Sequence, residues 1–134
     1  MIAYIRCVSS STEQSRKIEL QLPATTSAGT HLRYQFVNNS DYGVLTGAGF
    51  GLDHESAGGW EAVELGMAVA AIGIIIEPGQ SRELHAPIPD GLAPGNYRLR
   101  QAFRLGPREG FGWAWPRSGP PEFEVAATFR VTTT

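Results

Sequence analysis

Alternation of apolar and polar residues, repeated in several segments, is the feature that most constrains this chain. Lys17 to Leu22 alternates, with Ile18, Leu20 and Leu22 on one side. His31 to Val37 does the same with Leu32, Tyr34 and Phe36. Asn96 to Leu105 sets Tyr97, Leu99, Gln101 and Phe103 against Arg98, Arg100, Ala102 and Arg104. Phe123 to Val131 sets Phe123, Val125, Ala127, Phe129 and Val131 against Glu124, Ala126, Thr128 and Arg130. Successive side chains of a strand point to opposite faces, so a period of two predicts strands with one dry face. Shorter strands are expected at Trp60 to Leu65, at 72–76 after a loop or helical turn, and at Ser81 to Ala86. The expected core comprises Leu20, Leu32, Tyr34, Phe36, Trp60, Ile74, Leu84, Tyr97, Leu99, Val125, Ala127 and Phe129.

The strands are separated by turn chemistry. Asn38-Asn39-Ser40-Asp41, Ser56-Ala57-Gly58-Gly59, Pro78-Gly79 and Leu92-Ala93-Pro94-Gly95 are four such turns. Sixteen glycines and nine prolines in 134 residues disfavour long helices. Half-polar strands make antiparallel sheets with one wet face, and two such sheets must cover each other. The expectation is therefore an all-β antiparallel sandwich of seven or eight strands. It forms a single domain over 1–134, with an N-terminal segment at 1–16, the sandwich at 17–131 and a long aromatic loop at 106–121.

Composition narrows the function. Thirteen acids against eleven bases give a net charge of −2, which argues against nucleic-acid binding. The single cysteine, Cys7, predicts no intramolecular disulfide. The first residues lack the apolar run of a secretory signal. The longest apolar stretch, Leu65 to Ile76, is too short to span a bilayer, so no membrane insertion is expected.

Several segments together resemble the bacterial immunoglobulin-like domain family. They are Phe36-Val37-Asn38-Asn39-Ser40, Trp60 after a glycine turn, Ile76-Glu77-Pro78-Gly79-Gln80-Ser81, Leu92-Ala93-Pro94-Gly95-Asn96-Tyr97-Arg98-Leu99 and Ala127-Thr128-Phe129-Arg130-Val131. The resemblance runs over residues 17–131 and departs at the glycine-rich stretch 43–51 and at 105–122. It implies an immunoglobulin-like sandwich and no one activity, since such domains serve as spacers, adhesion modules and binding platforms. It also favours an extracellular, envelope or virion setting. Tyr97 stands where a sandwich corner places a tyrosine, with its ring inside and its hydroxyl on the turn backbone.

Catalytic and metal patterns are weak. Asp53-His54-Glu55 cannot converge on one ion from an extended segment, and reads as a solvated turn. His31 and His85 would be outward neighbours if their strands pair. Gly47-Ala48-Gly49-Phe50-Gly51 fails the phosphate-loop pattern at Leu52 and reads as a bulge or close backbone approach. Asn38-Asn39-Ser40 formally matches a glycosylation acceptor, but turn chemistry accounts for it. No cofactor, no metal and no enzymatic activity are expected; a small hydrolase stands last among the readings.

Two features suggest binding. Arg98, Arg100 and Arg104 share an outward face, where an ion-pair ladder with Glu122 and Glu124 is favoured over an anion site. The loop contains Phe111, Trp113 and Trp115, flanked by Arg108 and Arg117. Alternation with Gly112 and Ala114 would put the three rings on one side if the segment is extended. They would either fold back to seal the sandwich or present a flat surface to a partner. These five residues are the candidate binding site. The expected function is a non-catalytic structural or binding module of an extracellular, envelope- or particle-associated assembly, contacting a protein partner. A glycan-binding module using 111–115 is the alternative.

Overall fold

The computed structural model describes residues 11–65, 73–106 and 122–132. A short helix α1 (Ser11–Ser15) precedes ten strands: β1 (Ile18–Gln21), β2 (Thr25–Ser27), β3 (His31–Asn38), β4 (Gly43–Thr46), β5 (Gly51–Ser56), β6 (Gly59–Val63), β7 (Ile74–Ile76), β8 (Ser81–Pro87), β9 (Gly95–Gly106) and β10 (Glu122–Thr132). The smaller sheet has the order β1-β3-β8, and the larger runs β2-β10-β9-β4-β7, with β5 also on β9 and β6 on β5. The two sheets pack as the expected immunoglobulin-like sandwich. The described strands exceed the seven or eight anticipated for two reasons. Residues 25–27 lack alternation, yet pair in parallel with β10 (Arg130↔Thr25 to Thr132↔Ser27). The glycine-rich stretch is one line of chain broken in two. Both β4 and β5 pair with the same side of β9, Thr46 against Phe103 and Gly51 against Arg100. Five steps along 46–51 oppose three along 103–100, so the Gly47-Ala48-Gly49-Phe50 segment bulges as its glycines suggested. Beyond the bulge the sheet forks, β7 adding to β4 and β6 to β5.

Ile18, Leu20, Leu32, Tyr34, Phe36 and Leu84 of the smaller sheet face Leu52, Tyr97, Leu99, Phe103 and Phe129 of the larger in the core. Phe36 meets Phe103 edge-on across the gap, with centroids 5.9 Å apart. One polar chain crosses this core. The Tyr34 hydroxyl donates to Gln101 Oε1 (2.6 Å), while Gln101 Nε2 donates to Thr46 Oγ1 (3.0 Å) and the Gly47 carbonyl (2.8 Å). Burial pushes the Tyr34 hydroxyl's pKa up, so it remains a donor.

Three core expectations change. Trp60 is half-buried and faces outward with Ala62, which is exposed. The register pairs Trp60 with Glu55 and Ala62 with Asp53, putting both on the wet side. Val125 and Ala127 are half-buried and pack against the core margin. Three strands cannot cover the whole of a seven-stranded sheet, so the inner side of β10 is only partly roofed.

The turns lock the ends. Asn38 is fully buried, and its Nδ2 donates to the carbonyls of Tyr42 (2.8 Å) and Ile76 (3.0 Å). Its Oδ1 accepts from the Ser40 amide (2.9 Å) and hydroxyl (2.6 Å). Asn38 is thus a structural staple, inaccessible to glycosylation. Pro78-Gly79 forms a type II turn, with Gly79 at φ 78° and the Gln80 amide donating to the Glu77 carbonyl (3.0 Å).

Candidate functional site

Residues Phe111, Trp113, Trp115, Arg108 and Arg117 lie outside the described residues, as do Cys7 and the turn expected near 67–71. What the structure places is the sheet face from which that loop departs and to which it returns, at Gly106 and Glu122.

On this face β9 alternates Arg98, Arg100, Ala102 and Arg104 outward, as its period of two demands. Antiparallel pairing sets Glu122 opposite Arg104 and Glu124 opposite Ala102, diagonal to Arg100. The resulting ladder pairs Arg104 with Glu122 at 3.7 Å and Arg100 with Glu124 at 3.3 Å. The favoured reading of these charges as an ion-pair ladder is therefore found, with one addition. Asp53, expected in a solvated turn, sits on β5 opposite Arg98 and is 4% exposed. Its Oδ2 accepts from Arg98 Nε (2.9 Å) and Arg100 Nε (2.7 Å), with Arg98 Nη2 at 2.8 Å. Burial alone would raise the Asp53 pKa. Hydrogen bonds and charge from the two guanidinium groups outweigh it and leave the carboxyl below its ordinary value of 3.8. In return, the Asp53 hydrogen bond raises the Arg100 pKa against its own partial desolvation. Sequence reasoning missed Asp53 because its strand follows the glycine-rich Gly47-Ala48-Gly49 stretch, which carries too few large side chains to display an alternation, although the bulge's two extra residues keep β4 and β5 in the same parity. Its usable signal was parity: Leu52 is apolar and flanked by residues that must point outward.

The rest of the triplet also leaves the turn. His54 stacks on Tyr97 with centroids 4.6 Å apart. Glu55 accepts from Asn96 Nδ2 at 3.0 Å. His31 and His85 are exposed on paired strands as diagonal neighbours two residues out of register, and His85 lies 3.5 Å from Glu83. Among the described residues no group of three or more His, Cys, Asp or Glu could hold a metal ion, and no helix is long and apolar enough to cross a membrane.

Two hollows flank the ladder. The first, about 610 Å³, opens in the fork between β4 and β5. Leu45, Phe50 and Ala102 contribute apolar surface, and Arg100, Arg104, Glu122 and Glu124 contribute charge. A Cβ on Gly51 would lie 2.5 Å from Arg100 Nη2, so glycine there lets the guanidinium fold across the strand. The second hollow, about 460 Å³, lies where β9 begins and is lined by Ala24, Glu55, Trp60, Asn96, Thr128, Phe129 and Arg130. Arg98 bridges toward it, its Cζ 4.8 Å from the centre of the Trp60 ring. Chemically the face offers hydrogen bonding, stacking and apolar contact.

Behind this face, the Tyr97 hydroxyl donates to the Ala93 carbonyl at 2.7 Å, closing the expected tyrosine corner. No curated protein matches the chain. A family model described as bacterial Ig-like domain matches residues 12–130, which take in the Asn38 turn, the Pro78-Gly79 turn, the Tyr97 corner and most of the closing strand. With the sandwich and its ordered turns in place, the chain belongs to the bacterial immunoglobulin-like domain family, whose domains are generally non-catalytic.

Proposed function

We propose that this domain is a non-catalytic binding module of an extracellular, envelope- or particle-associated assembly. Its protein-contacting surface is the Gly106–Glu122 end of the larger sheet, together with Phe111, Trp113, Trp115, Arg108 and Arg117. The observation that carries this reading is the hollow between β4 and β5. It sits at the roots of the aromatic segment and combines an apolar floor with a charged rim. Central apolar contact inside a polar rim is the anatomy of a protein interface. The rim charges are already paired with one another, so they favour orientation and partner choice over raw attraction.

The competing role for the three rings is to seal the sandwich of their own chain. Trp113→Ala and Trp115→Ala separate the two. A binding role predicts little change in denaturation midpoint and loss of attachment of the labelled domain to the envelope or particle fraction of its source. A sealing role predicts a stability loss of about 3–5 kcal/mol, as for other buried large-to-small changes. That loss with attachment intact would reject the binding role.

A further inference from the structure

The second hollow lies at the other end of β9, ten residues from the loop root, or about 33 Å at the rise of a strand. We propose that it is a saccharide subsite that takes a neutral sugar ring against Trp60. The inference is independent of the protein-contact surface proposed above.

Register places Trp60 directly opposite Glu55, with both side chains outward. The indole is held, because the Arg98 guanidinium lies over its ring at 4.8 Å and is itself fixed on buried Asp53. Glu55 is held too, since Asn96 Nδ2 donates to its carboxylate at 3.0 Å. Across the hollow, β10 supplies Thr128 and Arg130, and the Arg130 amide is tied to the Ala24 carbonyl at 2.9 Å. A preformed ring with ordered neighbours removes much of the entropy cost of binding.

The side chains select the ligand class. A pyranose has an apolar C–H face and a rim of hydroxyls that both donate and accept. Trp60 supplies the apolar platform. Glu55 accepts, Arg130 donates, and the Asn96 carboxamide and Thr128 hydroxyl do both. The one carboxylate and one guanidinium on the lip cancel, which favours a neutral ligand over an anion or a basic peptide. The space falls within the ~300–1,000 Å³ of small-molecule sites; of its two large aromatics, Phe129 is buried in the core, so Trp60 is the one ring open to a ligand, where a protein-docking patch would need several.

The test is an amide and indole NMR titration of the intact chain. The probes are neutral oligosaccharides of glucose, galactose, mannose and N-acetylglucosamine, with a proline-rich peptide in parallel. Saturable movement of the Trp60 indole, Asn96 and Thr128 resonances with at least one sugar is expected. Trp60→Ala should weaken that binding by about tenfold or more. Because Trp60→Ala also removes the ring under Arg98, the exposed change Arg130→Ala serves as the second variant. It should weaken binding several-fold with an otherwise native spectrum. The proposal is overturned if these resonances stay still with every sugar at millimolar concentration, if sugar binding survives both substitutions, or if only the peptide moves them.

Discussion

Asp53 shows how much one carboxylate can organise. It is nearly buried, it holds two arginines on a single oxygen, and through Arg98 it steadies Trp60. Asp53→Asn keeps the shape and removes the charge, leaving two guanidinium groups that are each about a third exposed. Breaking a fully buried pair costs ~3–5 kcal/mol, so water access to the arginines should reduce the loss to about 2 kcal/mol. The pH dependence follows from the lowered pKa. Its stabilisation is complete above the ordinary value of 3.8 and fades as pH falls through the folded-state value. Urea melts should show a constant gap between wild type and Asp53→Asn near neutrality and a closing gap in acid. A second residue-scale outcome concerns Tyr34. Tyr34→Phe leaves the buried Gln101 carbonyl oxygen without its donor and should cost about 1–3 kcal/mol. Gln101→Leu added to it should cost less than the sum of the two single changes in a double-mutant cycle.

Turns and strands carry their own expectations. Gly79 and Gly29 both have positive φ, 78° and 80°, but their surroundings differ. Nothing lies near the place of a Cβ on Gly79, whereas the Asp90 carboxylate occupies that place at Gly29. Gly79→Ala should therefore cost only its backbone strain, about 1 kcal/mol. Gly29→Ala should cost more, and Asp90→Ala in the same chain should recover part of the difference in thermal melts. At this scale the strands with long alternation were legible: β1, β3, β8, β9 and β10 fall within a residue or two of their expected places. The short β6 and β7 also lie within two residues of the expected strands at Trp60 to Leu65 and 72–76; β2 and β5 were not legible, and the reasons are physical. The three residues of β2 are held by a partner a hundred positions away, and β5 follows a glycine-rich bulge whose two extra residues keep parity but carry too few side chains to show alternation. Trp60 misled because a large aromatic on an edge strand was assigned to the core by its apolarity; what fixes its side is the parity of Asp53 across the hairpin. The arginine ladder was readable since each partner lay on the neighbouring arm of one hairpin. The Trp60 hollow was not, because its lining comes from four strands whose assembly only the sheet order reveals.

For the whole molecule, Asn38 is the joint between the two sheets. It ends β3 of the smaller sheet and donates to the Ile76 carbonyl on β7 of the larger. Asn38→Ala would strip partners from two carbonyls and from Ser40 together. A loss of about 3 kcal/mol or more is expected, with amide-exchange protection falling in β3 and β4 alike. Loss confined to one sheet would mean that the sheets are energetically separate. The pairing of β2 with β10 bears on a different property, the response to tension. Most neighbours in this sandwich are antiparallel, but these two strands run the same way. Pulling residue 25 and residue 132 apart along the chain therefore slides the two strands lengthwise and strains their hydrogen bonds together. An antiparallel pair pulled at one end unzips bond by bond. If such domains are strung between two anchored objects, the three-residue strand with almost no alternation becomes the clamp that sets how hard the string can be pulled.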